Sequence, residues 1–257
     1  MLNVYCTGHK HSVQVCHAFA AGARAPIVPP APLLRGDVMM YGALRGLLPT
    51  LMQAQREGRT WFYADNGYLK PGHYRGHYRI TRNALQHDGR GTARPDRWRR
   101  LGLTIEPWRR SGRHVVICPP GRLFGALFGF DADQWLSDTL DVLRRHTDRE
   151  LRVRVKMSWQ EVKTPTICPL ADDLRDAWAL VTHSSNAAVE AGLAGVPVFV
   201  TAQCGASRIA LTDLTRIEDP AMPDDREEWA AVLAANQWTL AEMREGLCWR
   251  MLKEQAE

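Results

Sequence analysis

Two Rossmann-like α/β domains with parallel sheets facing a cleft are what this 257-residue sequence predicts. Three observations carry the expectation. Short apolar runs of strand length alternate with amphipathic helical segments. The alternation breaks in a basic, aperiodic stretch near the middle and restarts at residue 114. Strands such as His114–Cys118 end in turn formers, here Pro119-Pro120-Gly121, at the C-terminal strand ends where such sheets bind ligands.

The elements follow in order. Asn3–Cys6 is a strand ending in Thr7-Gly8-His9, and Val13–Ala21 is the helix after it. Pro26–Val28 and Asp37–Tyr41 are strands, and Leu47–Arg56 is a helix stopped by Gly58. Thr60–Tyr63 is a β-rich run opening onto Ala64-Asp65-Asn66-Gly67. The stretch from about Lys70 to Arg113 lacks periodicity and reads as a long functional loop with a linker. Beyond it come a strand at His114–Cys118, an amphipathic helix at Ala132–His146 capped by Asp131, and an alternating strand at Leu151–Lys156. Leu170–Trp178 (helix), Ala179–Thr182 (strand), Ala187–Ala194 (helix) and Val196–Thr201 (strand) continue the pattern. Arg226–Ala235 and Thr239–Leu252 read as terminal helices, with Thr239 and Glu242 spaced for a capping box. The boundary falls after residue 113, giving domains 1–113 and 114–257, the second including the terminal helices.

Apolar residues make up 45% and charged residues 24%, as in ordinary soluble proteins. No apolar run approaches the ~18–20 residues that span a bilayer. The first residues lack a charged leader and a long apolar stretch, so the expectation is a cytoplasmic protein with no membrane partner. Six cysteines without a CxxC pair point to reduced thiols. Net charge is +5, but Gly67–Arg113 carries +9 and the remainder −4. A local basic field of that kind attracts polyanions or phosphorylated ligands.

The stretch "LVTHSSNAAVEAGLAGVPVFV", Leu180–Val200, holds the sharpest motif. Ser184, Ser185 and Asn186 precede a helix, where backbone N–H groups and the positive dipole end favour an anion. Glu190 follows one turn later and could accept ribose hydroxyls. The same residues also suit an ordinary N-cap and a solvated glutamate. Arg122 after "ICPPG" and Lys156 at the end of "LRVRVK" could neutralise a diphosphate, or be plain surface charges. No Asp-x-Asp stands at a strand end to hold a divalent ion; Asp131–Asp133 fits a helix cap instead, so no metal is expected.

This stretch resembles the donor-binding element of GT-B glycosyltransferases, in which a Ser/Thr-rich loop, small helix residues, a Glu and a G-x-P strand start recur. The resemblance implies a compact GT-B fold and a UDP-sugar or similar nucleotide-sugar as donor substrate, with no tightly bound cofactor. It places His183, Ser184, Ser185 and Asn186 at the donor phosphates and Glu190 at the ribose, with Arg122 and Lys156 completing the site. Domain 114–257 would then hold the donor and domain 1–113 the acceptor.

Asp65, at the end of a strand in the first half, could act as general base toward an acceptor hydroxyl. Asp-Asn-Gly is equally a strong turn former. Some phage DNA glucosyltransferases resemble this arrangement, with an Asp of the first domain as base. The near-duplicated "GHYRGHYR", Gly72–Arg79, interleaves aromatics with arginines in a way that suits base stacking and phosphate contact. Tyr68, Lys70, His73, Tyr74, Arg75, His77, Arg79 and Arg82 are the candidate acceptor or DNA contacts, with His9 as a further cleft candidate. A solvated basic loop is the plain alternative, and His73 with His77 lacks a third metal ligand. The favoured expectation is therefore a metal-independent, hexosyltransferase-like enzyme whose acceptor is a hydroxymethylated base in DNA. A glycan, lipid or small-molecule acceptor is one alternative. A non-catalytic nucleic-acid-binding protein on the same scaffold is another.

Overall fold

The computed structural model describes residues 1–43, 46–72, 75–154 and 169–254. The chain divides into two units, Met1–His87 with Leu233–Glu257, and Asp88–Val232.

The first unit opens with β1 (Leu2–Tyr5), α1 (Lys10–Ala23), β2 (Ile27–Val28), β3 (Asp37–Tyr41), α2 (Leu48–Arg56), β4 (Trp61–Asn66) and β5 (Tyr78–Arg82). β2, β1, β3 and β4 are parallel neighbours in that order, as crossover connections require. β5 then folds back antiparallel on β4. The basic stretch is therefore not a continuous loop: Tyr78–Arg82 is a strand, and Ile80 and Thr81 are buried in it.

The second unit runs α3 (Pro95–Leu101), β6 (His114–Cys118), α4 (Arg122–Leu127), α5 (Ala132–His146), β7 (Glu150–Val153), α6 (Leu170–Asp173), β8 (Ala177–Thr182), α7 (Ala187–Leu193) and β9 (Val198–Val200). Its sheet is all parallel, in the order β7-β6-β8-β9. Every residue of β6 and β8 is buried, which is why they read as near-continuous apolar runs. Val115, Ile117, Val181 and Phe199 pack with Leu143 of α5 and with Ile217 in one core. Asp131 caps α5 by accepting from the amides of Asp133 and Gln134, as expected.

α8 (Arg226–Ala235) begins in the second unit and ends in the first. β10 (Gln237–Trp238), α9 (Leu240–Arg244) and α10 (Leu247–Glu254) then complete the first unit. The terminal helices thus belong with the N-terminal sheet, not with the preceding one, and the division falls near 87 and 232 instead of at 113. The reason is burial. Trp238 is fully buried beside β5, and Leu240, Met243, Cys248 and Leu252 fill the same core as Val15 and Phe19 of α1 and Met39 of β3. The capping box of Thr239 and Glu242 starts α9. Among the described residues no helix is long and apolar enough to cross a membrane.

Gly195 closes α7 in the left-handed region, at φ +74°, and a Cβ there would lie 2.0 Å from the Pro107 carbonyl oxygen. Gly195→Ala should destabilise the protein by about 2–4 kcal/mol, seen as a lower denaturant midpoint, because both backbone strain and a clash are introduced.

Candidate functional site

In the second unit the C-terminal ends of β6 and β8 lie side by side, with Cys118 opposite Thr182. The Thr182 hydroxyl donates to the Cys118 carbonyl oxygen at 2.6 Å and ties the two ends together. The following turn is pinned on its other flank, since the Ala202 amide donates to the His183 carbonyl at 3.0 Å. Ser184 and Asn186 are half-buried and Ser185 is exposed, so the turn stays at the surface.

Ser185 closes the turn just ahead of α7, whose N-cap position is Asn186. The Ser185 Oγ accepts from the Ala187 amide at 3.2 Å, and its carbonyl accepts from the Ala188 amide at 3.1 Å. The Val189 and Glu190 amides turn to the Asn186 carbonyl. These amides are therefore engaged within the turn. What the turn offers a ligand is the exposed Ser185 side chain: a hydroxyl that accepts from Ala187 still carries a proton to donate.

Glu190 projects from the first turn of α7 and is exposed, although neighbouring groups take part of its water. Loss of water around it raises its pKa, and the positive charge of Arg154 acts in the opposite direction. Arg154 follows β7, its amide donating to the Ile117 carbonyl at 2.8 Å, and its guanidinium pairs with Asp173. Lys156, expected as the cation here, lies outside the described residues. Arg154 precedes it by two in the same alternating "LRVRVK" run, and that parity is the signal that could have found it. Cys118 sits among these charges with its thiol pushed up to about 12, chiefly by burial. Arg122 is exposed and ion-paired with Asp133 at 2.9 Å, near the start of α5.

His183 has a setting that the motif did not reveal. Its ring stacks on Phe130 at 4.6 Å and 19°, with Phe124 and Trp135 edge-on at 6.3 and 6.2 Å. Its Nδ1 is 3.1 Å from the Ser184 hydroxyl. Burial lowers the imidazole pKa, which favours a neutral ring beside the turn at physiological pH. Phe124 and Phe130 reach this ring from α4 and the loop after it, and Phe128 packs on Phe124 at 4.7 Å.

In the first unit Asp65 stands opposite Arg79 across the β4–β5 ladder. Arg79 donates to Asp65 Oδ2 at 3.0 Å, to the Asn66 carbonyl at 2.7 Å, and lies 5.1 Å from the Tyr68 ring centroid. Asp65 Oδ1 accepts from the Asn66 amide at 2.8 Å. Burial alone would lower the Arg79 pKa, but Asp65 and the surrounding tyrosines more than offset it. Arg79 and Tyr68 are 7% and 2% exposed, so neither can reach a nucleic-acid backbone or stack a base. Both are corrected to core residues. The Tyr68 hydroxyl instead accepts from the His87 amide at 2.7 Å.

The remaining acceptor candidates separate by exposure. Lys70, Arg75 and Arg82 are exposed, His77 is half-buried, and His73 and Tyr74 lie outside the described residues. His9 is exposed at the start of α1, with its ring 5.6 Å from that of His11. Much of the remaining basic excess is absorbed locally. Arg113 pairs with Asp176, Arg100 with Asp96 and Arg90 with Asp88, Arg109 donates to the Leu174 and Arg175 carbonyls, and Arg97 is buried.

No protein-family model matches this sequence, and no curated protein does. Two solved structures are similar in fold. Thermosulfurimonas dismutans KpsC, β-Kdo 2,4-transferase, aligns at 13% identity over 89% of each chain with a TM-score of 0.51. Thermosulfurimonas dismutans KpsC, β-Kdo 2,7-transferase, aligns at 10% identity over 96% of this chain and 98% of that one, with a TM-score of 0.52. At these identities the likeness is one of fold: two sets of parallel strands in a two-domain Rossmann-like arrangement that glycosyltransferases use.

The raised pKa of Glu190 carries a stability consequence. Such a carboxyl stabilises the fold below its unfolded pKa, and that contribution is lost as pH rises through the folded value. Glu190→Gln is neutral at every pH, so its melting temperature at pH 7 should exceed that of the parent protein only slightly, because solvent reaches the exposed Glu190 and screens the effect, with the difference vanishing below about pH 4. Equal melting temperatures at pH 7 would place Glu190 in open water.

Proposed function

We propose that the protein is a glycosyltransferase that takes a sugar from a nucleotide-activated donor bound in the second unit and passes it to a hydroxyl of a glycan-type acceptor. The observation that carries this reading is the gathering of the Ser184-Ser185 turn, Glu190 and Arg154 at the joined ends of β6 and β8, in a fold that two sugar transferases share. Parallel α/β sheets bind ligands at that edge.

In this reading the Ser184 and Ser185 hydroxyls, with Asn186, face the donor phosphates. Arg154, shared with Asp173, supplies positive charge where a divalent ion would otherwise serve, and Glu190 accepts the ribose hydroxyls. The His183 ring, held neutral among Phe124, Phe130 and Trp135, closes one side of the site. Placing a carboxylate near a diphosphate is unfavourable unless a cation lies between them, and Arg154 acts on Glu190 in that sense. The glycan acceptor is preferred to a base in DNA because Tyr68 and Arg79 are withdrawn into the core and Arg90, Arg97, Arg100, Arg109 and Arg113 are buried or engaged. A DNA acceptor would rest on the exposed Lys70, Arg75, Arg82, Arg94, Arg99 and Arg110.

On the acceptor side Asp65 serves as the general base. It ends a parallel strand, is one-third exposed, and has its carboxylate aimed by Arg79 and the Asn66 amide.

Uridine diphosphate added to the protein should raise its melting temperature, and Glu190→Ala should weaken that binding about tenfold, as expected for loss of one charged hydrogen bond. A nucleotide that binds both forms equally would remove Glu190 from the site. Asp65→Asn has two readouts. It removes the counter-charge of a buried arginine, costing about 1–3 kcal/mol of stability. If Asp65 is also the base, sugar transfer falls at least about 100-fold with nucleotide affinity unchanged; preserved turnover in the destabilised variant would leave Asp65 only its structural task.

A further inference from the structure

The first unit contains a groove of about 470 Å³ where α1 ends and the α9–α10 turn passes over it. Arg24, Arg244, Glu245, Trp249, Arg250 and Lys253 are among its walls. Gly22 and Gly246 shape it, since a Cβ on Gly22 would lie 1.9 Å from the Met243 carbonyl oxygen and 2.8 Å from Gly246 Cα. The groove lies at the edge where the parallel strands begin: α1 descends from the end of β1, and Arg24 precedes β2, whose Ile27 pairs with Val4. It is therefore on the side of this sheet opposite the strand end that bears Asp65.

Charge distinguishes this groove from a larger one in the second unit. The latter, of about 790 Å³, is also rich in arginine. Three of its four arginines, Arg113, Arg144 and Arg149, however, pair with Asp176, Asp141 and Glu218, and Asp148 lines it together with Arg145, so much of its field is cancelled. In the smaller groove Arg24, Arg244, Arg250 and Lys253 are exposed and make no ion pair among the described residues, and Glu245 is the single acid among its lining residues. Arg250 donates to the Glu245 carbonyl at 3.3 Å, and Lys253 lies 5.8 Å from the Trp249 ring centroid. Four cations held in one concavity repel each other, a cost that a multivalent anion would reverse.

Trp249 decides which anion. It is half-exposed, and its ring is fixed edge-on to Phe19 and Phe62 at 5.9 and 5.4 Å. A rigid indole flanked by cations suits a sugar ring whose C–H face lies on the aromatic face while acidic substituents meet the guanidinium groups. No exposed large apolar side chain lines the groove, which disfavours a lipid surface. We propose that this groove docks an acidic saccharide, one bearing carboxylate or phosphate groups, at a non-catalytic site. The assignment of that saccharide as part of the acceptor rests on the transferase reading; the binding itself does not.

The test is direct binding to the full-length chain, followed by fluorescence anisotropy. Labelled oligogalacturonate, a phosphorylated mannose oligosaccharide, neutral maltooligosaccharide of equal length and a DNA duplex of matched charge are compared. Binding of either acidic saccharide, weakened about tenfold or more by Arg244→Ala with Arg250→Ala and by raising salt from about 50 to 200 mM, supports the proposal; the better ligand identifies the acidic group. Circular dichroism and melting of the double variant, and its uridine diphosphate binding, should match those of the parent protein. Absence of binding by both acidic saccharides, equal binding of the neutral one or of DNA, or affinity untouched by the double variant would each overturn it. Failure of uridine diphosphate to bind the parent protein would count against the transferase reading and leave the docking result standing.

Discussion

The register that ends β6 beside β8 is the constraint on which the candidate donor site depends. Cys118 and Thr182 are paired at the last position of their strands, and the threonine hydroxyl bonds across to the cysteine carbonyl. Both strands are buried along their whole length, so a slip by one residue would exchange their side chains between two packed faces and disrupt the core on each. The penalty for slippage is thus set by many core contacts, while its consequence is felt at a few polar residues beyond the strand ends. The Ser184-Ser185 turn, Glu190 and Arg154 owe their proximity to that arrangement.

The first unit shows a different balance. Arg79 is a charge carried into the core, stable there because Asp65 sits directly across the ladder and Tyr68 presents its ring. A buried guanidinium left alone would be strongly unfavourable. The carboxylate is consequently oriented by structure before any substrate arrives, and a fixed carboxylate at a strand end suits proton transfer as well as ion pairing. Its two possible tasks share one geometry.

Charge counts and charge placement lead to different conclusions in this protein. The middle of the chain holds the formal excess, yet burial and local ion pairs absorb much of it. The C-terminal helices carry fewer cations, but α9 and α10 bring three of them to a groove beside Arg24. Electrostatic attraction follows the second quantity, because a paired or buried charge projects little field into solvent.

The alternation of strands and helices, the Asp131 cap and the Thr239–Glu242 capping box were legible in the sequence because each is set by residues within a turn or two of one another. The serine turn before α7 was legible for the same reason. Three things belonged to tertiary structure alone: the antiparallel return of β5, the docking of β10, α9 and α10 on the N-terminal core, and the burial of Tyr68 and Arg79. Each depends on partners far away in sequence, such as Gln237 opposite Arg79 and Met243 over Gly22. Local periodicity states that a helix has an apolar face, not which sheet will cover it. An arginine next to a tyrosine reads alike whether it faces solvent or an aspartate across a ladder, since the free energy that decides is released only when the distant strand arrives.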